Sequence, residues 1–214
     1  YWFFNRCVAQ VDLYRAEGNP KLLEESHKAI DFLMANDAQV ITGACSLGEY
    51  FHTTQEGRGN LAESCAVAYQ IRLCHHLLQL EGNSLYGDIM ERAILNSLFA
   101  AQSTDGRRLR YYTCFEGPRA YMNTDTYCCP GNWRRIVSEL PEMVYYVQEG
   151  GFMVNLYTAS SARLKLGKDC PSPCGRKRII PIRGMSRSMW SHPKKRRSRC
   201  NCGYRAGAGS RRFP

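Results

Sequence analysis

A helix–Glu-Gly-Asn–helix unit occurs twice in the chain, its two copies 64 positions apart. Val8, Val11, Leu13 and Tyr14 recur at helical spacing before Glu17-Gly18-Asn19-Pro20. Leu22, Leu23, Ala29, Ile30, Phe32 and Leu33 then resume the pattern, with Pro20 well placed at a helix start. In the second copy Ile71, Leu73, Leu77, Leu78 and Leu80 lead into Glu81-Gly82-Asn83. Tyr86, Ile89, Met90, Ile94, Leu95 and Leu98 follow. A helical hairpin cannot bury its own apolar stripe, so a repeated hairpin predicts a bundle, a solenoid or an α/α barrel.

Beyond residue 105 the pattern changes. Arg108 to Phe115 and Phe152 to Leu166 are rich in β-branched and aromatic residues and read as strands. Trp133 to Val147 reads as helix, with Pro141 starting or kinking it. No apolar run reaches the length of a transmembrane helix, and the 44% hydrophobic content of 214 residues suits one sizeable core or two modest ones. The opening residues, Tyr1 to Arg6, contain neither an initiator Met nor a signal-peptide pattern. They read as a start within a domain and leave a cytoplasmic or a secreted location equally open.

The net charge of +10 is unevenly placed. Residues 1–164 hold 14 Lys and Arg against 18 Asp and Glu, a net −4, while residues 165–214 hold 15 against Asp169 alone, a net +14. An acidic body and a basic end need separate explanations.

Three stretches of the body carry reactive side chains. Gly48-Glu49-Tyr50-Phe51-His52 lies between helices, Glu63-Ser64-Cys65 at a helix start, and Tyr127-Cys128-Cys129-Pro130-Gly131-Asn132 in a loop before a helix. Each has an ordinary explanation: Glu63 as the far partner of Asn60 in a capping box, Cys65 as a small buried apolar residue, the cysteine pair as loop residues. Together Glu63, Cys65, Cys128 and Cys129 make a four-ligand zinc set. Residues at i and i+2 diverge on a regular helix, so Glu63 and Cys65 converge only at an irregular first turn. A metal there would hold a cysteine as thiolate near neutrality. His75 and His76 sit in an amphipathic helix and read as surface or packing residues.

The segments ITGACSLGEYF, ESCAVAYQIRLCHHLLQLEGNSLYGDIMERAILNSLFAAQ, YCCPGN and FMVNLYTAS, in that order within residues 41–160, resemble glycoside hydrolase family 127, the β-L-arabinofuranosidases. The resemblance implies a mainly α fold, the later part of an (α/α)6 barrel, followed by the first strands of a β-sandwich. It places a partial barrel domain at 1–150 and the start of the sandwich at 151–166. The activity implied is a retaining glycosidase, with an arabinose-containing oligosaccharide or glycoconjugate as partner and zinc as cofactor. Glu49 matches the general acid/base and Cys128 the zinc-bound nucleophile. Glu63, Cys65 and Cys129 match the other zinc ligands, and Glu91 a substrate-binding carboxylate. The family's catalytic unit is longer and draws sugar-contacting histidines from upstream, so this chain alone is expected to be inactive.

Residues 167–214 do not continue the family pattern. Arg199 to Gly209 can be encoded so that a reading one base earlier spells Thr-Leu-Gln-Leu-Arg-Ile-Pro-Gly-Trp-Cys-Arg, a strand-like, family-like segment. Lys177 to Trp190 shifts the same way into an alternating, strand-like segment. A one-base slip between about Leu166 and Arg176 follows, and with it a disordered tail whose charge specifies no nucleic-acid partner. No membrane partner is expected either. The rival reading is a non-catalytic zinc-stabilised helical protein whose basic tail binds nucleic acid.

Overall fold

The computed structural model describes residues 1–148, 151–163 and 179–180. Its helices are α1 (Trp2–Glu17), α2 (Glu24–Ala35), α3 (Ser64–Glu81), α4 (Ser84–Ala93) and α5 (Cys128–Glu139). Short strands β1 (Ser46–Leu47) and β2 (Tyr50–Phe51) form a hairpin in register Ser46 with Phe51 and Leu47 with Tyr50. β3 (Tyr145–Gln148) pairs with β4 (Gly151–Val154), and β5 (Ala162–Arg163) pairs antiparallel with β6 (Ile179–Ile180). Tyr1–Tyr146 with Val154–Leu156 form one compact unit, and residues from Val147 on otherwise belong to a second.

The repeated hairpin is built by one device used twice. Gly18 (φ 72°) and Gly82 (φ 64°) end α1 and α3 in the left-handed conformation, where a side chain would be strained. The next residue then starts the following helical segment. The Asn19 side chain accepts from the Lys21 N–H at 3.1 Å and that of Asn83 from the Leu85 N–H at 3.0 Å, each satisfying an orphan donor. Between Asn19 and α2 a 3-10 turn, Pro20–Leu23, intervenes.

α3 is the central helix and packs on α1, α4 and α5. Its residues Ile71, Leu73 and Leu77 are wholly buried. On α1 the buried residues are Phe4, Cys7, Val8 and Val11, while Leu13 faces outward. The second hairpin leaves α geometry early. Ile94–Leu98 form a π turn and Phe99–Ala101 a 3-10 turn, with Leu95 exposed.

Three expectations need correction. Arg108 to Phe115 is not a strand. Its backbone forms isolated bridges, Gln102 with Leu109, Glu63 with Tyr112 and Arg110 with Tyr121. Its polar groups instead serve the start of α3, where the Ser64 N–H donates to the Tyr111 carbonyl at 2.9 Å. Trp133 to Val147 is helical only to Glu139; Pro141 sits in a 3-10 turn, Leu140–Met143, and β3 follows. Of Phe152 to Leu166, strand is found at β4 and β5 alone among the described residues. The expectation for 167–214 lies outside the described residues, apart from Ile179–Ile180.

Candidate functional site

The helices α3 and α5 both begin at one place, and the four residues singled out as a ligand set meet there. One donor atom from each of Glu63, Cys65, Cys128 and Cys129 lies within 4.8 Å of all the others. Cys128 and Cys129 are not loop residues as expected: they form the first two positions of α5. Glu63 is not the far half of a capping box either. It is itself the N-cap of α3 (φ −58°, ψ 129°), and its side chain makes no capping bond. That non-helical backbone lets its carboxylate turn toward Cys65, two residues on. The preceding Ala62 is buried with φ 58°, a conformation costing about 1–2 kcal/mol for a residue with a Cβ. Bonds from the Ala62 N–H to the Ser46 carbonyl (2.7 Å) and from the Thr113 N–H to the Ala62 carbonyl (3.2 Å) hold the turn in place.

Within the cluster Cys65 Sγ is 3.3 Å from Cys129 Sγ, and Cys129 Sγ is 3.7 Å from Glu63 Oε1. Glu63, Cys65 and Cys129 are fully buried, while Cys128 is exposed. Glu63 Oε2 accepts no hydrogen bond among the described residues. Burial raises the Glu63 carboxyl above its ordinary range; the Tyr1 amino group, 3.9 Å from Oε2, opposes the shift and the negative charge of Glu49 adds to it. The contact with Cys129, and then burial, push the Cys65 thiol far up; burial, followed by Cys65, raises Cys128. Glu63, Cys65 and Cys128, each an anion when ionised, are thus all biased toward their neutral forms. A divalent ion reverses this balance, and ligand atoms around a tetrahedral ion stand roughly 3–4 Å apart, matching the contacts here. The donor set, three sulfurs and a carboxylate, suits zinc.

Glu49 lies at the tip of the β1–β2 hairpin and is exposed. Its Oε1 accepts from the Tyr111 hydroxyl at 3.0 Å. Burial, then the Cys129 charge and the bond to Glu49, push the Tyr111 phenol above its usual range, so it remains a donor. The Tyr111 ring also meets Tyr127, the neighbour of Cys128, edge-on at 6.3 Å. Tyr111 was missed in the sequence because its stretch read as strand. A cavity of about 310 Å³ adjoins Glu49, walled by Tyr1, Trp2, Phe4, Tyr50 and Phe51. The cluster's sulfurs do not line it.

Glu91 is half-buried on α4, and among the described residues no hydrogen bond or ion pair joins its side chain to the cluster. His75 is a packing residue, as expected, buried against Tyr146.

Residues 4–142 match the family model described as the β-L-arabinofuranosidase, GH127 catalytic domain. A non-reducing end β-L-arabinofuranosidase of Bifidobacterium longum subsp. longum is 26% identical over an alignment of 121 residues that covers 49% of this chain and 18% of the relative. A GH127 β-L-arabinofuranosidase from Geobacillus stearothermophilus T6 shares the fold with a TM-score of 0.63 at 22% identity, over 77% of this chain and 28% of that one. A second solved structure, described as a glycoside hydrolase, gives 0.57 at 18% identity over 74% and 31%. The chain thus spans about a fifth to a third of the length of these relatives.

Proposed function

The chain belongs to glycoside hydrolase family 127, the β-L-arabinofuranosidase catalytic family, and on that premise we propose that it carries the thiolate nucleophile and the acid/base of a retaining glycosidase site. The substrate is a terminal β-L-arabinofuranosyl residue, or a similar sugar, on a glycan. The observation carrying the reading is the convergence of Glu63, Cys65, Cys128 and Cys129 at the starts of α3 and α5, with only Cys128 exposed.

The residues take distinct roles. Glu49 in its acid form donates its proton to the departing glycosidic oxygen. As that carbon–oxygen bond breaks, Cys128 Sγ attacks the anomeric carbon and forms a carbon–sulfur bond. Glu49, now a carboxylate, takes a proton from water, whose oxygen attacks the anomeric carbon from the face the glycosidic oxygen left, opposite the sulfur; the carbon–sulfur bond breaks, the thiolate is returned, and two inversions retain the configuration. The Tyr111 hydroxyl bond holds Glu49 in direction through both steps. Glu63, Cys65, Cys128 and Cys129 would hold zinc, which when bound keeps Cys128 as a thiolate at neutral pH. The aromatic walls beside Glu49 offer apolar faces to the C–H surfaces of a sugar. Glu91 is assigned to the sugar by family position alone.

The test is zinc content per chain in the wild type and in Glu63→Ala, Cys128→Ala and Cys129→Ala. About one zinc in the wild type, lowered in every variant, is the expected result. A folded wild type without zinc overturns the reading. The chain by itself is expected to release no arabinose from a β-L-arabinofuranosyl substrate, and measurable release would contradict that expectation.

A further inference from the structure

Asn132 has no part in the roles assigned so far, yet its side chain reaches the cluster. It is 5% exposed and donates from Nδ2 to Cys65 Sγ at 3.1 Å. It stands on α5 three residues after Cys129 and four after Cys128, and so on the same helical face as both. A buried amide N–H needs a good acceptor, and a neutral thiol sulfur is a weak one. The sulfur of a metal-bound Cys65 thiolate would be a strong acceptor with only lone pairs to present, and the amide's NH2 end already faces it. Among the described residues no side-chain N–H reaches the sulfur of Cys128.

We propose that Asn132 is a positioning residue of the metal centre, whose N–H···S bond fixes Cys65 as a structural ligand and draws charge from its sulfur, leaving exposed Cys128 the more electron-rich thiolate. The inference rests on the metal-centre reading above. It separates two cysteines of like chemistry by what each meets: Cys65 is buried under an amide donor, and Cys128 is open and free of one. Partners that orient metal ligands in this way usually change affinity when removed.

Cobalt(II) is the probe, added to the full chain and read in two ways. Competition with a chromophoric chelator gives affinity, and the thiolate-to-cobalt charge-transfer band reports the electron density on sulfur. Asn132→Leu is expected to keep about one cobalt per chain with roughly 10–100-fold weaker binding. Its band should move to lower energy, because a sulfur without the N–H donor holds its electrons less tightly. Asn132→Asp keeps the shape and sets a carboxylate against the anionic sulfur, so it should bind more weakly still. Should the Leu variant not fold by circular dichroism, the Asp variant carries the test alone. Wild-type affinity with an unmoved band, or a band at higher energy, overturns the role of Asn132. A folded wild type that binds no cobalt overturns the metal-centre reading itself, and this inference falls with it.

Discussion

Acidification from pH 7 to pH 5 should destabilise the chain through His75, and the size of the effect follows from its surroundings. The Arg15 guanidinium donates to Gln79 Oε1 at 2.6 Å, which turns the Gln79 amide NH2 toward His75 Nε2 at 3.1 Å. His75 Nε2 is therefore the acceptor, and Nδ1 carries the proton toward the Tyr146 hydroxyl at 2.6 Å. Protonating Nε2 would place one N–H against another inside a buried site. Burial lowers the His75 pKa to about 4, with His76, Arg15 and Arg72 acting in the same direction against Glu139. An unfolded histidine titrates near 6.5. The folded pKa is the lower, so the stabilisation is present above about 6.5 and is lost as pH falls toward about 4. At pH 5 the loss from this one residue is about 2 kcal/mol, or a fall of roughly 1 M in the urea midpoint. The assay compares urea unfolding of the wild type and of His75→Gln at the two pH values. His52, lowered chiefly by burial, is common to both proteins and cancels, so the difference reads His75 together with its interaction with His76. Equal acid sensitivity in wild type and variant would refute the argument.

Further tests address other levels of the structure. Among the cluster cysteines, iodoacetamide should modify Cys128 of the metal-free protein well before Cys65 or Cys129, which are fully buried; equal labelling by mass spectrometry contradicts the assigned exposure. Asn83→Ala removes the side-chain acceptor at the start of α4 and should lower unfolding free energy by about 1 kcal/mol, read from the urea midpoint. The bidentate Arg72–Glu139 pair, 3.0 and 2.6 Å, ties α3 to α5. A double-mutant cycle to alanine should give about 1 kcal/mol of coupling after solvent screening, and none would mean that the pair is incidental. Sequencing the gene should reveal an uninterrupted family-like frame, one base earlier, across codons 177–209; incompatible codons would refute the slip.

The hairpin repeat was legible because everything that builds it is local. Apolar spacing, a glycine able to adopt positive φ and an asparagine able to cap lie within a few residues of one another at 17–19 and 81–83. The ligand set was legible by residue type, and the need for an irregular turn at Glu63 followed from helix geometry alone. Tertiary structure decided the rest. Arg108 to Phe115 has the composition of a strand, but among the described residues no partner strand stands beside it, and the buried Ser64 N–H at the start of α3 takes the Tyr111 carbonyl instead. Likewise Cys128 and Cys129 resembled a loop in sequence, yet open α5 with one sulfur buried and the other exposed. Hydrogen-bond partners for strands and helix ends, and the burial of one of two adjacent side chains, are set by distant segments. No local pattern carries that information, and the bonds of Tyr111 to Glu49 and of Asn132 to Cys65 likewise exist only because α3 and α5 begin side by side.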